Sequence, residues 1–184
     1  MKTKLLNKIV LLPLALGLFA FAGKAHAQCD LQPIALSEET VTNIQPGTEV
    51  RDILNGAGHR NFGWLTWNGD LSEQALLLSL QPGGDSSLYI NPLTGNNEII
   101  QAGDWVEGKP GVSDNKKIRQ ALTTLETGVI TVPVWDVATV DHRHLYYHIA
   151  GFANVQITGY HLARGNRISA IYLGMTTCGY NGGS

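Results

Sequence analysis

The sequence lacks the short motifs that carry the chemistry of the common enzyme families. It contains no Gly-x-Ser-x-Gly nucleophile elbow, no phosphate-binding loop, no dinucleotide fingerprint and no His-Glu-x-x-His zinc signature. Serine, histidine and aspartate are all present, but their presence alone does not identify a catalytic group. We therefore predict no catalytic residue and interpret the protein as noncatalytic.

Long apolar runs are also lacking, except for one at the start of the chain. Three lysines among the first eight residues precede the apolar run Ile9–Ala22, which is short for a membrane-spanning helix. Small residues then occupy both positions that a signal peptidase reads in Ala25-His26-Ala27. The pattern predicts a removable signal peptide over residues 1–27. A single β-rich domain over residues 28–184 would then be periplasmic, secreted or attached to the cell surface, with no membrane span.

Basic residues are scarce once the signal is removed. Four of the 13 lysines and arginines leave with residues 1–27, so nine remain against 15 aspartates and glutamates, a net charge of −6. Nonspecific binding to nucleic acid needs a basic face, and so does adsorption to anionic lipid. The composition argues against both and leaves protein partners at the cell surface as the expected ones.

Only two cysteines are present, Cys29 and Cys178. In an oxidising compartment a lone pair of cysteines usually forms a disulfide. This disulfide would tie the two ends of the domain together and could stabilise it by about 5 kcal/mol in the chain-entropy model. It also predicts that the first and last strands are neighbours. The competing interpretation, a catalytic thiol, finds no supporting pattern around Cys178.

The composition favours strands, because glycine, valine, isoleucine and threonine are frequent and charged residues are few. We predict a mainly β, α+β fold, either an antiparallel β-sandwich or a curled sheet with one or two short covering helices. Strands are predicted over residues 62–67, 88–91, 98–106, 129–137, 149–157 and 168–173.

Two segments have the pattern of a helix. Ile118, Ala121, Leu122 and Leu125 repeat at i, i+3, i+4 and i+7, which predicts an amphipathic helix that starts near Ser113 and ends at Gly128. A shorter helix is predicted from Ser72, a suitable cap, to Leu80.

A histidine cluster in the segment 141–148 is the main candidate for a metal site. In an extended chain His142, His144 and His148 share one face, and three imidazoles can hold zinc and leave a position open for water. This would make the protein a metal-binding protein or a metal-dependent hydrolase. An ideal strand would separate His142 from His148 by about 20 Å, however, so only the 142/144 pair is close without a turn. The alternative is a polar hairpin loop with partly solvated histidines.

Calcium is a second metal to consider, because several oxygen-bearing side chains occur near predicted turns. Their spacing matches no known calcium loop, and the same residues also form ordinary turns. The candidates are Asp70, Asp85, Asp104, Asn91, Asn96 and Asn97.

The four tryptophans could line a glycan-binding face. Trp64 and Trp67 differ in parity, so a single strand would place them on opposite faces of the sheet. Tryptophans in a small β domain more often belong to the core. Trp105 and Trp135 stay open as alternatives for such a platform.

Several short motifs, taken in their order along the chain, resemble a known family. The chain has an Asn-Phe-Gly start, a Gly-Asp-Trp-Val to Pro-Gly middle, a Val-Pro-Val strand and a Gly-Phe-Ala strand. They lie at Asn61–Trp67, Gly103–Gly111, Ile130–Asp136 and Gly151–Ala153. This order resembles the C-terminal region of Flp/Tad-type pilus-assembly proteins of the TadE/TadG-like group, over nearly all of residues 29–178.

The resemblance implies a noncatalytic extracytoplasmic domain that acts by protein–protein contact, in adhesion or pilus-related assembly. It supplies no catalytic residues. The chain departs from the family in two places. It begins with a cleavable signal where the family has a pilin-type membrane helix, and residues 139–148 are rich in histidine where the family has a loop of glycine, asparagine and serine.

Overall fold

The computed structural model describes residues 29–111, 113–163 and 165–178. The predicted signal peptide, residues 1–27, lies outside these ranges. Within them, no helix has the length and apolar character needed to cross a bilayer.

Seven strands and three short helices form the described fold. The strands are β1 (Ile34–Ser37), β2 (Glu49–Leu54), β3 (Phe62–Trp64), β4 (Trp105–Gly108), β5 (Ile130–Asp141), β6 (His144–His161) and β7 (Arg167–Thr176). The helices are α1 (Glu38–Val41), α2 (Glu73–Ser79) and α3 (Lys116–Leu125), with a 3₁₀ turn at Ser86–Leu88. The predicted mainly β, α+β class is confirmed.

The strands form one mixed sheet that curls on itself. Its order is β2-β7-β6-β5-β1-β3, and β4 pairs with the first part of β6. Only the β1–β5 pair is parallel among these strand pairs. The amide of Thr66 donates to the carbonyl of Glu107, and that of Lys109 to the carbonyl of Trp64, which joins the end of β3 to β4. Strands β1, β3, β4, β6 and β5 therefore close into a ring.

The apolar core has two parts. One cluster packs α2 and α3 against the sheet and includes Trp64, Leu76 and Ile118, all fully buried. The second cluster contains side chains from each strand of the ring, or from the residue that directly follows the strand. It therefore fills the interior of the ring. These side chains include Ala35, Leu65, Val106, Trp135, Tyr147 and Ile149.

Both longer helices begin where the sequence supplies a cap. The Oγ of Ser72 accepts from the amide of Ala75 at the start of α2, and the Oδ1 of Asn115 accepts from the amide of Ile118 at the start of α3. A side-chain oxygen at this position satisfies an amide that the helix itself leaves unpaired. The α3 cap is Asn115, two residues beyond the predicted start at Ser113.

Two predicted strands and one predicted strand pairing are wrong. Residues 88–91 form the end of a 3₁₀ turn and an isolated bridge at Ile90. Of the strand predicted over 98–106, only Trp105 and Val106 are extended, as the start of β4. Buried side chains of irregular loops, Tyr89 and Ile100, produced the strand-like pattern. The first and last strands are not neighbours, because β6 and β5 lie between β7 and β1.

The predicted cysteine pair is present nevertheless. Cys29 and Cys178 lie in disulfide geometry with their Cα atoms 5.5 Å apart. Both cysteines lie outside the strands, in the segments that lead into β1 and out of β7. The link therefore joins the segments that flank β1 and β7 without requiring the two strands to pair.

Candidate functional site

A two-residue hairpin at the tip of β5 and β6 decides where the three histidines lie. Asp141 pairs with His144, and the connecting residues His142 and Arg143 have φ values of 46° and 75°. Positive φ at both central residues is the geometry of a tight turn whose twist matches the strands. The side chain of His142 is 93% exposed at the tip. The segment is thus not one extended strand, because His142 lies in the turn and the other two lie on β6.

His144 is held by a carboxylate of a neighbouring strand. Its Nδ1 lies 2.5 Å from Oε1 of Glu107 on β4. The ring of His144 also stacks on Tyr146, with the planes 23° apart and the centroids separated by 6.3 Å. Tyr146 is the register partner of Glu107, so the three side chains share one patch of the β4–β6 surface.

His148 makes a second, separate pair with Asp136. Its Nδ1 lies 2.7 Å from Oδ1 of Asp136. The register passes from Trp135–Ile149 to Val137–His148, which leaves Asp136 as an extra residue in β5. Such a bulge re-aims a side chain, and here it brings the carboxylate to the histidine. His148 also lies against Trp105, its register partner on β4, with ring centroids 5.1 Å apart.

These two pairs bear on the predicted zinc site. His144 and His148 each use one ring nitrogen for a different carboxylate, and His142 lies exposed in the turn, 3.5 Å from Asp141. Across residues 29–111, 113–163 and 165–178, no group of three or more His, Cys, Asp or Glu side chains is arranged to hold a metal ion. The described geometry therefore adds no support to zinc binding, which stays a prediction.

Three of the six side chains considered for calcium shape individual turns. Asp70 accepts from the amide of Ser72, Asn91 from that of Leu93, and Asp104 from that of Gln101. Side-chain bonds to the backbone two or three residues away are what aspartate and asparagine do in ordinary turns. Calcium binding also stays a prediction.

A cleft of about 350 Å³ opens beside the two histidine pairs. It is lined by Pro92, Leu93, Trp105, Thr139, Asp141 and Tyr146. Leu93 is 74% exposed on its rim. We call Trp105, Glu107, His144, Tyr146 and His148, which stand on adjacent strands beside this cleft, the aromatic face.

The carboxylates of the aromatic face are close enough to act on its tyrosine. Burial raises the pKa of Tyr146, and the negative charges of Glu107 and Asp141 raise it further. Burial likewise raises the pKa of Asp104, which precedes Trp105, and the charge of Glu98 adds to this. The amide of Gln101 and the nearby His148 act in the opposite direction on Asp104. The surroundings of the cleft are thus predominantly acidic.

A larger depression of about 790 Å³ lies around α1, but it offers less specific chemistry. It is an open surface lined mainly by polar side chains such as Glu38, Glu39 and Arg60, and no aromatic residue lines it. Specific sites usually combine apolar walls with a few placed polar groups. The smaller cleft fits that description better.

Trp64 and Trp67 do not share one strand, because β3 ends at Trp64, so their parity along a strand is not tested. Trp64 and Trp67 are buried in different core clusters, and Trp135 is buried in the ring. Of the four, only Trp105 lines the cleft. Sequence reasoning missed Tyr146, although it follows His144 at strand spacing, and missed both histidine–carboxylate pairs.

Comparisons with protein-family models, with characterised proteins and with solved structures find no match to this chain.

Proposed function

We propose that the protein is a noncatalytic extracytoplasmic module that acts by protein–protein contact, in adhesion or pilus-related assembly, through its aromatic face. The observation that carries this proposal is the cleft in which Trp105, Tyr146 and the exposed Leu93 come together. Tryptophan and tyrosine are the residues most enriched at the energetic centres of protein interfaces.

The aromatic face is held in place before any partner arrives. Trp105 leans on His148, which bonds Asp136, and Tyr146 stacks on His144, which bonds Glu107. Side chains that are already ordered lose less conformational entropy on binding. This support suits a recognition surface. Both histidines bond carboxylates and contact the aromatic rings, which is consistent with a noncatalytic role.

The exported location rests on the signal-like start of the chain and on the cysteine pair. A disulfide that closes a loop of 149 residues is characteristic of oxidising compartments. The pilus-related setting rests on the ordered motifs that resemble the TadE/TadG-like group.

Site-specific photo-crosslinking in the producing cells tests the proposal. A photoreactive phenylalanine analogue at Leu93, on the rim of the cleft, should yield a discrete adduct with one extracytoplasmic protein. The matched control places the analogue at Leu78, which is 55% exposed on α2. No adduct is expected there.

The adduct should also disappear when Trp105 is replaced by alanine in the Leu93-labelled chain. No adduct at Leu93, or equal adducts at Leu93 and Leu78, would contradict the proposal. Mass spectrometry of the adduct identifies the partner directly.

A further inference from the structure

We propose that the cleft of the aromatic face receives a cationic side chain, an arginine or a lysine, from the protein partner. This inference deepens the proposed function and rests on it. It names the chemistry of the partner at the point of contact, which is a basic segment.

The strand positions of the two aromatic residues leave room for a flat cation. Trp105 is opposite His148 and Glu107 is opposite Tyr146, so Trp105 and Tyr146 are diagonal neighbours on adjacent antiparallel strands. Diagonal neighbours on one face lie about 7–8 Å apart. A planar guanidinium between two rings needs about 3.5–4 Å to each of them, the ordinary van der Waals distance. Both side chains also line the same cleft.

Charge favours a cation over a neutral group. Asp141 lines the cleft, and Glu107 and Asp136 lie beside it in the histidine pairs. The side chain of Asp141 is 70% exposed, and its one ion-pair contact in the described residues is a 3.5 Å approach to His142. Aromatic rings attract a cation through their negative faces, and a carboxylate nearby adds to this attraction.

Arg143, at the second turn position, follows the cleft-lining Asp141 by two residues. It is exposed and does not line the cleft. The whole domain carries a net charge of −6 without its signal, so a basic partner is also attracted at long range.

The test uses two small peptides and the indole N–H signals of the folded protein. Acetyl-Gly-Arg-Gly-amide is titrated in parallel with the same peptide carrying citrulline, which has the shape of arginine without the charge. The Trp105 indole signal should shift saturably with the arginine peptide and about tenfold more weakly with citrulline, a loss of roughly 1.4 kcal/mol. Trp64, Trp67 and Trp135 are buried and serve as internal controls, since their signals should not move.

Two variants sharpen the test. Asp141→Asn should weaken binding of the arginine peptide by about threefold to tenfold. Binding of the citrulline peptide should stay unchanged. Asp114→Asn is the matched control, because Asp114 pairs with Arg119 and is not among the residues that line the cleft, and it should have no effect. Equal binding of both peptides, or no saturable shift, would overturn the cation inference. A neutral sugar such as N-acetylglucosamine that shifts Trp105 more strongly than arginine would also overturn it, in favour of glycan binding.

The failure of this inference is distinguishable from failure of the proposed function. If the Leu93 crosslink forms and the arginine peptide does not bind, protein contact stands and the cationic contact falls. If the arginine peptide binds and the crosslink is absent, cation binding by the cleft is supported and the assignment as a protein-contact module is contradicted.

Discussion

The indole Nε1 of Trp64 donates a hydrogen bond of 2.7 Å to Oδ1 of Asn166, a residue 102 positions away in the sequence. The same oxygen accepts from the amide of Ser113, and the amide nitrogen of Asn166 donates to the carbonyl of Leu162. One buried side chain therefore joins β3, the segment before α3 and the turn between β6 and β7.

Replacing this side chain should be costly. Asn166→Ala leaves the indole N–H of Trp64 and the amide of Ser113 without their partner inside the protein, and each buried unpaired group costs about 1–3 kcal/mol. We expect a loss of about 3 kcal/mol in the free energy of unfolding, measured by urea denaturation. In a Trp64→Phe background the same substitution should cost less, because the indole donor is already gone. Equal costs in both backgrounds would contradict the role of this bond.

The ring interior has no space at two glycines. A Cβ at Gly63 or at Gly108 would lie 2.6 Å from Cε2 of Tyr147. Gly63→Ala should therefore destabilise the domain by about 1–3 kcal/mol through overpacking. Gly128→Ala is the control, because a Cβ there meets nothing within 4 Å. Thermal unfolding of the two variants compares them, and the idea fails if both lose stability equally.

The hairpin turn uses two residues that rarely adopt its backbone geometry. His142 and Arg143 both have positive φ, where asparagine and glycine are favoured. The double variant His142→Asn/Arg143→Gly should be more stable by about 1 kcal/mol. His142→Ala/Arg143→Ala removes the same charges without easing the backbone and should show no gain. An increase in Tm in the alanine variant equal to that in the Asn/Gly variant would assign the effect to charge instead.

Ionisation of Asp104 should lower the free energy of unfolding as the pH rises. Its pKa is raised in the folded protein above the ordinary value of 3.8, chiefly by burial. The folded state therefore binds the proton more tightly than the unfolded state, and stability is lost as the pH rises from about 4 through the raised pKa. Asp104→Asn keeps an oxygen for the amide of Gln101 and cannot ionise. The free energy of unfolding of this variant, relative to the native chain, should be higher at pH 7 than at pH 4, and a constant difference would contradict the argument.

The link between Cys29 and Cys178 closes a loop of 149 residues. Removing it in a Cys29→Ser/Cys178→Ser variant should cost up to about 5 kcal/mol by the chain-entropy model. Intact mass before and after reduction should differ by about 2 Da in the native chain, the mass of the two hydrogens gained. An unchanged mass would show that the disulfide is not formed. Unchanged stability in the variant would show that the disulfide does not stabilise the fold.

Local patterns predicted the parts of the fold that local physics decides. The spacing of Ile118, Ala121, Leu122 and Leu125 identified α3, because these side chains form one stripe that is buried against the sheet. Trp64 and Trp67 are buried in different core clusters, but β3 ends at Trp64, so strand parity does not explain this separation. The parallel β1–β5 pair and the β3–β4 closure depend on which distant strands meet, and no short-range pattern encodes that choice.

The candidate site was less predictable for the same reason. Three histidines on one strand suggested a metal, but a two-residue turn at His142 and Arg143 separates one of them. The carboxylates that hold the other two come from β4 and from a bulge in β5, and neither is adjacent to its histidine in sequence. Trp105 was recognised as a candidate, while its neighbour Tyr146 became visible only through the β4–β6 register.

The closure of the ring leaves the sheet order ending on β2. An open edge strand is a template on which further copies can add and grow into fibres. Here Glu49 and Arg51 are charged, and Asp52 has a φ of 53° where the register with β7 shifts. Charge and a kink at the same place discourage strand addition. The open end of the sheet is thereby a poor template for a second copy, even at high protein concentration.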